Sequence, residues 1–102
     1  MTMTLVVTRN VSDRMRGFLA SSLLELAPGV YSAPHISPAV RERIWAVAAE
    51  WFLHETDASI VMVWADSTIP CGQGVRTLGV PPIRVASIDG LLTGYRLLHP
   101  DL

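Results

Sequence analysis

The sequence predicts an α+β fold in which two amphipathic helices cover one face of an open β-sheet. Three observations lead there. The chain has 102 residues, enough for one domain and no more. β-Branched apolar runs alternate with two segments whose apolar residues recur at helical spacing. Half of the residues are hydrophobic and 17% are charged, a balance that builds a core and excludes disorder. No apolar run reaches the roughly 20 residues of a membrane span. The apolar stretch Met3–Val7 is followed at once by polar residues, unlike a secretory leader. A cytoplasmic protein without membrane contact is expected.

Taken in order, Met3–Thr8 reads as the first strand, ending in the polar trio Thr8-Arg9-Asn10. Ser12 is a good N-cap and Asp13 suits a first helical turn, so a helix is expected from Asp13 to Leu24. Met15, Phe18, Leu19 and Leu23 supply its buried stripe. Pro28-Gly29 fits a type II turn into a short strand at Val30-Tyr31. Ser37-Pro38 starts a second helix, expected to run to His54. Val40, Ile44, Val47, Ala48 and Trp51 fall on one face, with Arg41, Arg43 and Glu50 on others. Ser59–Ala65 is apolar on both alternating faces, as in a central strand covered on both sides. Asp66–Gly74 reads as a loop and Val75–Leu78 as a short strand. Ile83–Ile88 and Leu91–Leu98 flank Asp89-Gly90, the strongest hairpin signal in the chain.

This order is βαββαβ followed by extra strands, the ferredoxin-like arrangement with a C-terminal addition. Residues 1–82 make the core and 83–102 the extension, within one domain overall. Two helices cover one sheet face. Ile60, Met62 and Trp64 point opposite to Val61, Val63 and Ala65, so the other face is apolar too. Leaving such side chains in water would forgo about 1.5–3 kcal/mol each. A homodimer with two-fold symmetry is therefore expected.

Chemistry-bearing patterns are few. His35, His54 and His99 are far apart, and no metal-ligand spacing exists. Cys71, the single cysteine, lies among Pro70, Gly72 and Gly74 and reads as a bystander thiol in a loop. The first strand carries no aromatic residue on which a base could stack. Net charge is −1, but every basic residue is arginine, and Arg9, Arg14 and Arg16 cluster within eight residues against Asp13 alone. The guanidinium fork suits phosphate. A helix N-terminus adds free N–H groups and positive potential. The junction of first strand and first helix is thus the candidate site, and a capped helix with solvated arginines is the alternative reading of it.

At this point the chain resembles CRISPR-associated protein 2 of the type I-E subfamily. The likeness rests on Leu5-Val6-Val7-Thr8-Arg9-Asn10-Val11, Arg14-Met15-Arg16-Gly17, Leu23-Leu24-Glu25-Leu26 and Gly29-Val30-Tyr31. It continues through Arg41-Glu42-Arg43-Ile44-Trp45, Val61-Met62-Val63-Trp64-Ala65, Arg76-Thr77-Leu78-Gly79 and Asp89-Gly90-Leu91. The resemblance implies a ferredoxin-like homodimer lying between two dimers of the CRISPR integrase, protein 1. Such an assembly captures a short foreign duplex and inserts it into the CRISPR array as a spacer. The integrase performs the strand transfer. The strands docking it map onto Ile83–Leu98.

Carried over by position, the resemblance makes Arg14, Arg16 and Arg41 contacts to the DNA backbone, with Asn10 helping at the first junction. Ala39 stands where the family pattern has a further basic residue. Pro81-Pro82-Ile83 breaks a basic pair, for which Arg84 is a replacement. Three arginines per subunit give a dimer roughly six phosphate contacts and a log–log salt slope of about −5. No cofactor is required for such binding. The alternative implied by the family is a Mg²⁺-dependent endonuclease acting on RNA or DNA, in which an aspartate after the first strand binds the ion. Here Arg9 occupies that stretch and would repel a cation, and the nearest acid, Asp13, belongs to the helix start. No catalytic or metal-binding residue is therefore expected. A third reading, a ligand-sensing regulator of the same fold, has no motif to support it.

Overall fold

Strand β1 (Thr2–Arg9) forms the middle of the sheet, because both of its edges find partners. The computed structural model describes residues 2–79, 84–88 and 91–95. After β1 come α1 (Asp13–Ser22), β2 (Leu24–Ala27), β3 (Val30–Ile36), α2 (Pro38–Phe52), β4 (Ser59–Ala65) and β5 (Gln73–Gly79). The five strands lie in the order β2-β3-β1-β4-β5. All pairings are antiparallel. The first four strands reproduce the ferredoxin-like βαββαβ order, and β5 extends it beside β4. The α+β class is thus as expected. A separate two-stranded sheet pairs β6 (Arg84–Ile88) with β7 (Leu91–Tyr95). Ile88 pairs with Leu91, so two residues separate the strands, as the Asp89-Gly90 signal requires. Those two residues, Pro81, Pro82, Ile83 and the expected continuation to Leu98 lie outside the described residues.

Strand alternation sets the core. Thr4, Val6, Tyr31, Ile60, Met62 and Trp64 are buried on the helical side, under Met15 and Leu19 of α1 and Ile44, Trp45 and Ala48 of α2. Each such apolar side chain contributes about 1.5–3 kcal/mol by leaving water. On the other side Val61 and Val63 are half-buried, while Met3 and Val7 are 55% and 38% exposed. The strand β4 is therefore interior within the sheet, with the helices covering one of its faces.

The end of α1, the length of β3 and the buried face of α2 differ from the sequence reading, each for a physical reason. Helix α1 stops at Ser22, because Leu23 is extended (φ −134°, ψ 167°) and Leu24 enters the ladder opposite Ser32. Strand β3 runs on through Pro34, which is tolerated because the register with β1 slips there, between Thr2 and Thr4. Helix α2 is rotated relative to the expected face: Trp45 is buried and Val40 is 44% exposed. The rotation brings Arg41 inward over the Trp64 ring.

Candidate nucleic-acid interface

The junction between β1 and α1 is held by its own polar groups. Asn10 adopts a left-handed backbone (φ 57°), a conformation that asparagine tolerates better than most residues. Its side-chain amide donates to the carbonyls of Thr56 (3.4 Å) and Asp57 (3.2 Å), tying the junction to the α2–β4 loop. The Ser12 hydroxyl accepts from the Met15 amide at 3.2 Å, and the Ser12 amide donates to Glu55 Oε1 at 2.6 Å. The helix start is consequently less open to an anion than its sequence suggests. One amide is capped, and a carboxylate already sits there.

The arginines diverge. Arg14 and Arg16 are two residues apart, about 200° around the helix axis, so they leave α1 on opposite flanks. Arg14 turns toward α2, with its guanidinium carbon 4.1 Å from the centroid of the Trp51 ring. It is exposed, and no acidic group pairs with it among the described residues. Arg16 turns toward β2 and β3. It lies 4.0 Å from Asp13 and 4.0 Å from Glu25, half-exposed at 46%. With Thr8, Asn10, Val11, Pro28 and Gly29 it lines an open, largely polar depression of about 300 Å³. Gly29 (φ 81°) closes this depression, and a Cβ there would press on the Thr8 hydroxyl and carbonyl. Behind Arg16 lies the buried Tyr31, whose hydroxyl has no hydrogen-bond partner of good geometry. Burial, and then the Glu25 carboxylate, push the Tyr31 phenol above its ordinary value of 10.0.

Arg41 sits in different surroundings from Arg14 and Arg16. Its side chain is only 11% exposed, its guanidinium lies 4.2 Å from the Trp64 ring centroid, and its Nε is 3.5 Å from Glu42 Oε2. Glu42 also pairs with Arg76 across from β5. The other edge of Trp64 is fixed by Asp66, whose Oδ2 accepts from the indole N–H at 3.3 Å. The Thr68 hydroxyl and amide hold the same carboxylate below its ordinary range. Arg41 is thus a clamp on the helical layer, stacked on Trp64 beside Glu42, with its Nε shielded from solvent and lacking a well-placed acceptor. It precedes Trp51 by ten helical residues, about 15 Å along α2, so it does not join Arg14 in one cluster.

For Arg84 the structure describes the backbone, as the first residue of β6 opposite Tyr95. Arg9 is exposed at the end of β1 and pairs with Ser59 in the ladder. Asp13 is exposed beside Arg16. Among the described residues no three His, Cys, Asp or Glu side chains gather at one place. The donor set at the end of β1, with Arg9 in it, does not fit a divalent cation. His35 and His54 are exposed and apart, and His99 lies outside the described residues. Cys71 is a half-buried free thiol whose Sγ is 3.7 Å from the Gln73 carbonyl oxygen. No described helix is long and apolar enough to cross a membrane.

The sequence reading placed Trp51 in the core stripe and missed its other role. Trp51 is half-buried, and its outer face carries Arg14. Thirty-seven positions separate the two residues (51 − 14), so no local spacing signals the pair.

With this geometry in view, residues 3–92 match the family described as CRISPR-associated protein (Cas_Cas2CT1978). The chain belongs to this family. The match covers every described strand and helix except the first residue of β1 and the end of β7. It supports a role in CRISPR systems and a protein of the CRISPR-associated protein 2 kind.

Proposed function

We propose that this chain is a type I-E CRISPR-associated protein 2, a non-catalytic subunit of the spacer-acquisition complex that binds the backbone of duplex DNA. As a homodimer it bridges two dimers of the integrase, protein 1, which carries out the strand transfer. The observation that carries the reading is Arg14: an exposed guanidinium at a helix start, stacked and without an acidic partner among the described residues. Arg16 adds a second cation on the other flank of α1. Phosphate contacts of this kind set register without reading sequence, as a protein that accepts any spacer requires.

Two further features support the assembly. The open sheet face, with Met3, Leu5, Val7, Val61 and Val63, matches a second copy of itself in character. The β6–β7 hairpin forms a sheet of its own, and such a ribbon has edges able to extend a neighbouring chain's sheet. The docking of protein 1 on this extension is part of the proposal.

Because Arg41 is engaged with Trp64, the charge count changes. Arg14 and Arg16 from two subunits give roughly four phosphates and a log–log salt slope of about −3.6, where three arginines per subunit give about −5. The test is duplex binding by fluorescence anisotropy across a salt series, with and without protein 1. The joint Arg14→Ala, Arg16→Ala variant should lose affinity similarly on unrelated duplexes. Strongly sequence-dependent loss, or cleavage of RNA or DNA by the purified chain that requires Mg²⁺ and stops with EDTA, would overturn the reading.

A further inference from the structure

Of the arginines with described side chains that were expected at phosphate, Arg14 alone combines stacking on an aromatic ring with exposure. We propose that Trp51, braced by Phe18, is a positioning residue that presents the Arg14 guanidinium to the DNA backbone. The inference rests on the reading that Arg14 contacts phosphate, and adds to it the residue that orders that contact.

The geometry is specific. The Arg14 guanidinium carbon is 4.1 Å from the Trp51 centroid. Phe18 packs on the same indole with ring centroids 5.0 Å apart and planes tilted by 58°, near the edge-to-face arrangement that aromatic pairs favour. Both aromatic residues are half-buried and pack against the core, so the indole is held from behind while Arg14 lies on its outer face. A solvated arginine at this position would sample many rotamers, and ordering it on binding would cost conformational entropy. Stacking removes part of that freedom beforehand. A guanidinium lying flat on a ring still directs its N–H groups outward in its own plane, where a phosphate takes two of them.

The contrast with the neighbouring arginines sharpens the point. Asp13 and Glu25 restrain Arg16 but offset its charge. Trp64 restrains Arg41 but buries it. An indole orders its cation without cancelling the charge, so the field that attracts DNA persists.

The experiment uses the full chain and compares Trp51→Met, Trp51→Phe, Arg14→Ala and the double variant Arg14→Ala, Trp51→Met on one duplex at fixed salt. Trp51→Met should weaken binding by about two- to fivefold for each site engaged, the range of an exposed cation–π contact. Trp51→Phe keeps a ring face and should restore most of the loss. The double variant should bind no more weakly than Arg14→Ala. The salt slope should be unchanged in Trp51→Met, which removes no charge, and smaller by about one per site in Arg14→Ala. If Arg14→Ala leaves affinity and slope intact, the phosphate reading of Arg14 fails. If Arg14→Ala weakens binding but Trp51→Met equals the wild type, binds tighter, or costs as much on the Arg14→Ala background, the positioning role fails. Thermal melts report folding. Should Trp51→Met not fold, Phe18→Leu, which frees the indole without removing it, takes its place with the same outcomes expected.

Discussion

Replacing Arg41 with alanine separates a structural clamp from a phosphate contact. The side chain is 11% exposed, and its guanidinium lies 4.2 Å from the Trp64 ring centroid. A cation–π contact this far from water is worth about 2 kcal/mol. The substitution also strips Glu42 Oε2 of its 3.5 Å partner, leaving a carboxylate oxygen shielded from solvent. That part is small, about 0.5 kcal/mol, because Glu42 keeps Arg76 and is 42% exposed. The expected loss is therefore about 2–3 kcal/mol. For a domain near 100 residues this lowers the melting temperature by roughly 10–20 °C. Circular-dichroism melts at one fixed protomer concentration measure it, since any self-association would make the midpoint concentration-dependent. Arg14→Ala, on an exposed site, should cost about 0.5–1 kcal/mol. The reasoning is refuted if Arg41→Ala melts within about 3 °C of the wild type while duplex affinity falls as in Arg14→Ala. The guanidinium would then leave Trp64 in solution and serve the DNA, as the family resemblance implies.

Other outcomes follow from the same packing. Gly74→Ala places a Cβ on Cε2 and Cζ2 of Trp64, an indole held by Arg41 above and Asp66 at its edge, so it should destabilise by about 1–3 kcal/mol in a urea titration. Asn10→Ala loses two hydrogen bonds and strains a left-handed backbone, whereas Asn10→Gly loses the bonds alone; the alanine variant should melt lower than the glycine variant. Tyr31→Phe removes a buried hydroxyl without a well-placed partner and should be neutral to about 1 kcal/mol stabilising at pH 7. Because the folded phenol stays protonated above its ordinary 10.0, the wild type loses stability as pH rises past that value, and Tyr31→Phe should lose less. Asp66 runs the other way: its carboxyl is held below the ordinary 3.8, so its contribution is present above that value and is lost as pH falls through the depressed one. Asp66→Asn should flatten the acid limb of a stability–pH curve.

Most of the fold was legible in the chain, because strand and helix periods are local. β-Branched apolar runs marked β1 and β4, Ser12 and Ser37-Pro38 marked the helix starts, and Asp89-Gly90 marked the break between β6 and β7. Those signals operate over a few residues and survive without knowledge of neighbours. Helix α1 was read two residues too long because leucines suit helix and strand alike, and only the partner Ser32 decides for Leu24. The β1–α1 junction was found as a place, while the duties of its residues were not. That Asn10 also ties the junction to the Thr56 and Asp57 carbonyls has no signal in the chain, because those partners lie 46 and 47 positions away.

By itself, then, the sequence determined the element order, the two-sided apolar character of the sheet and the all-arginine charge set. The tertiary structure alone decided what surrounds each arginine. Arg41 and Arg14 carry the same group on similar helices, yet the rotation of α2 turns one onto Trp64 beneath the helical layer and leaves the other on the outer face of Trp51. A guanidinium's availability depends on what lies within a few ångströms of it, and that neighbourhood is assembled from positions far apart along the chain.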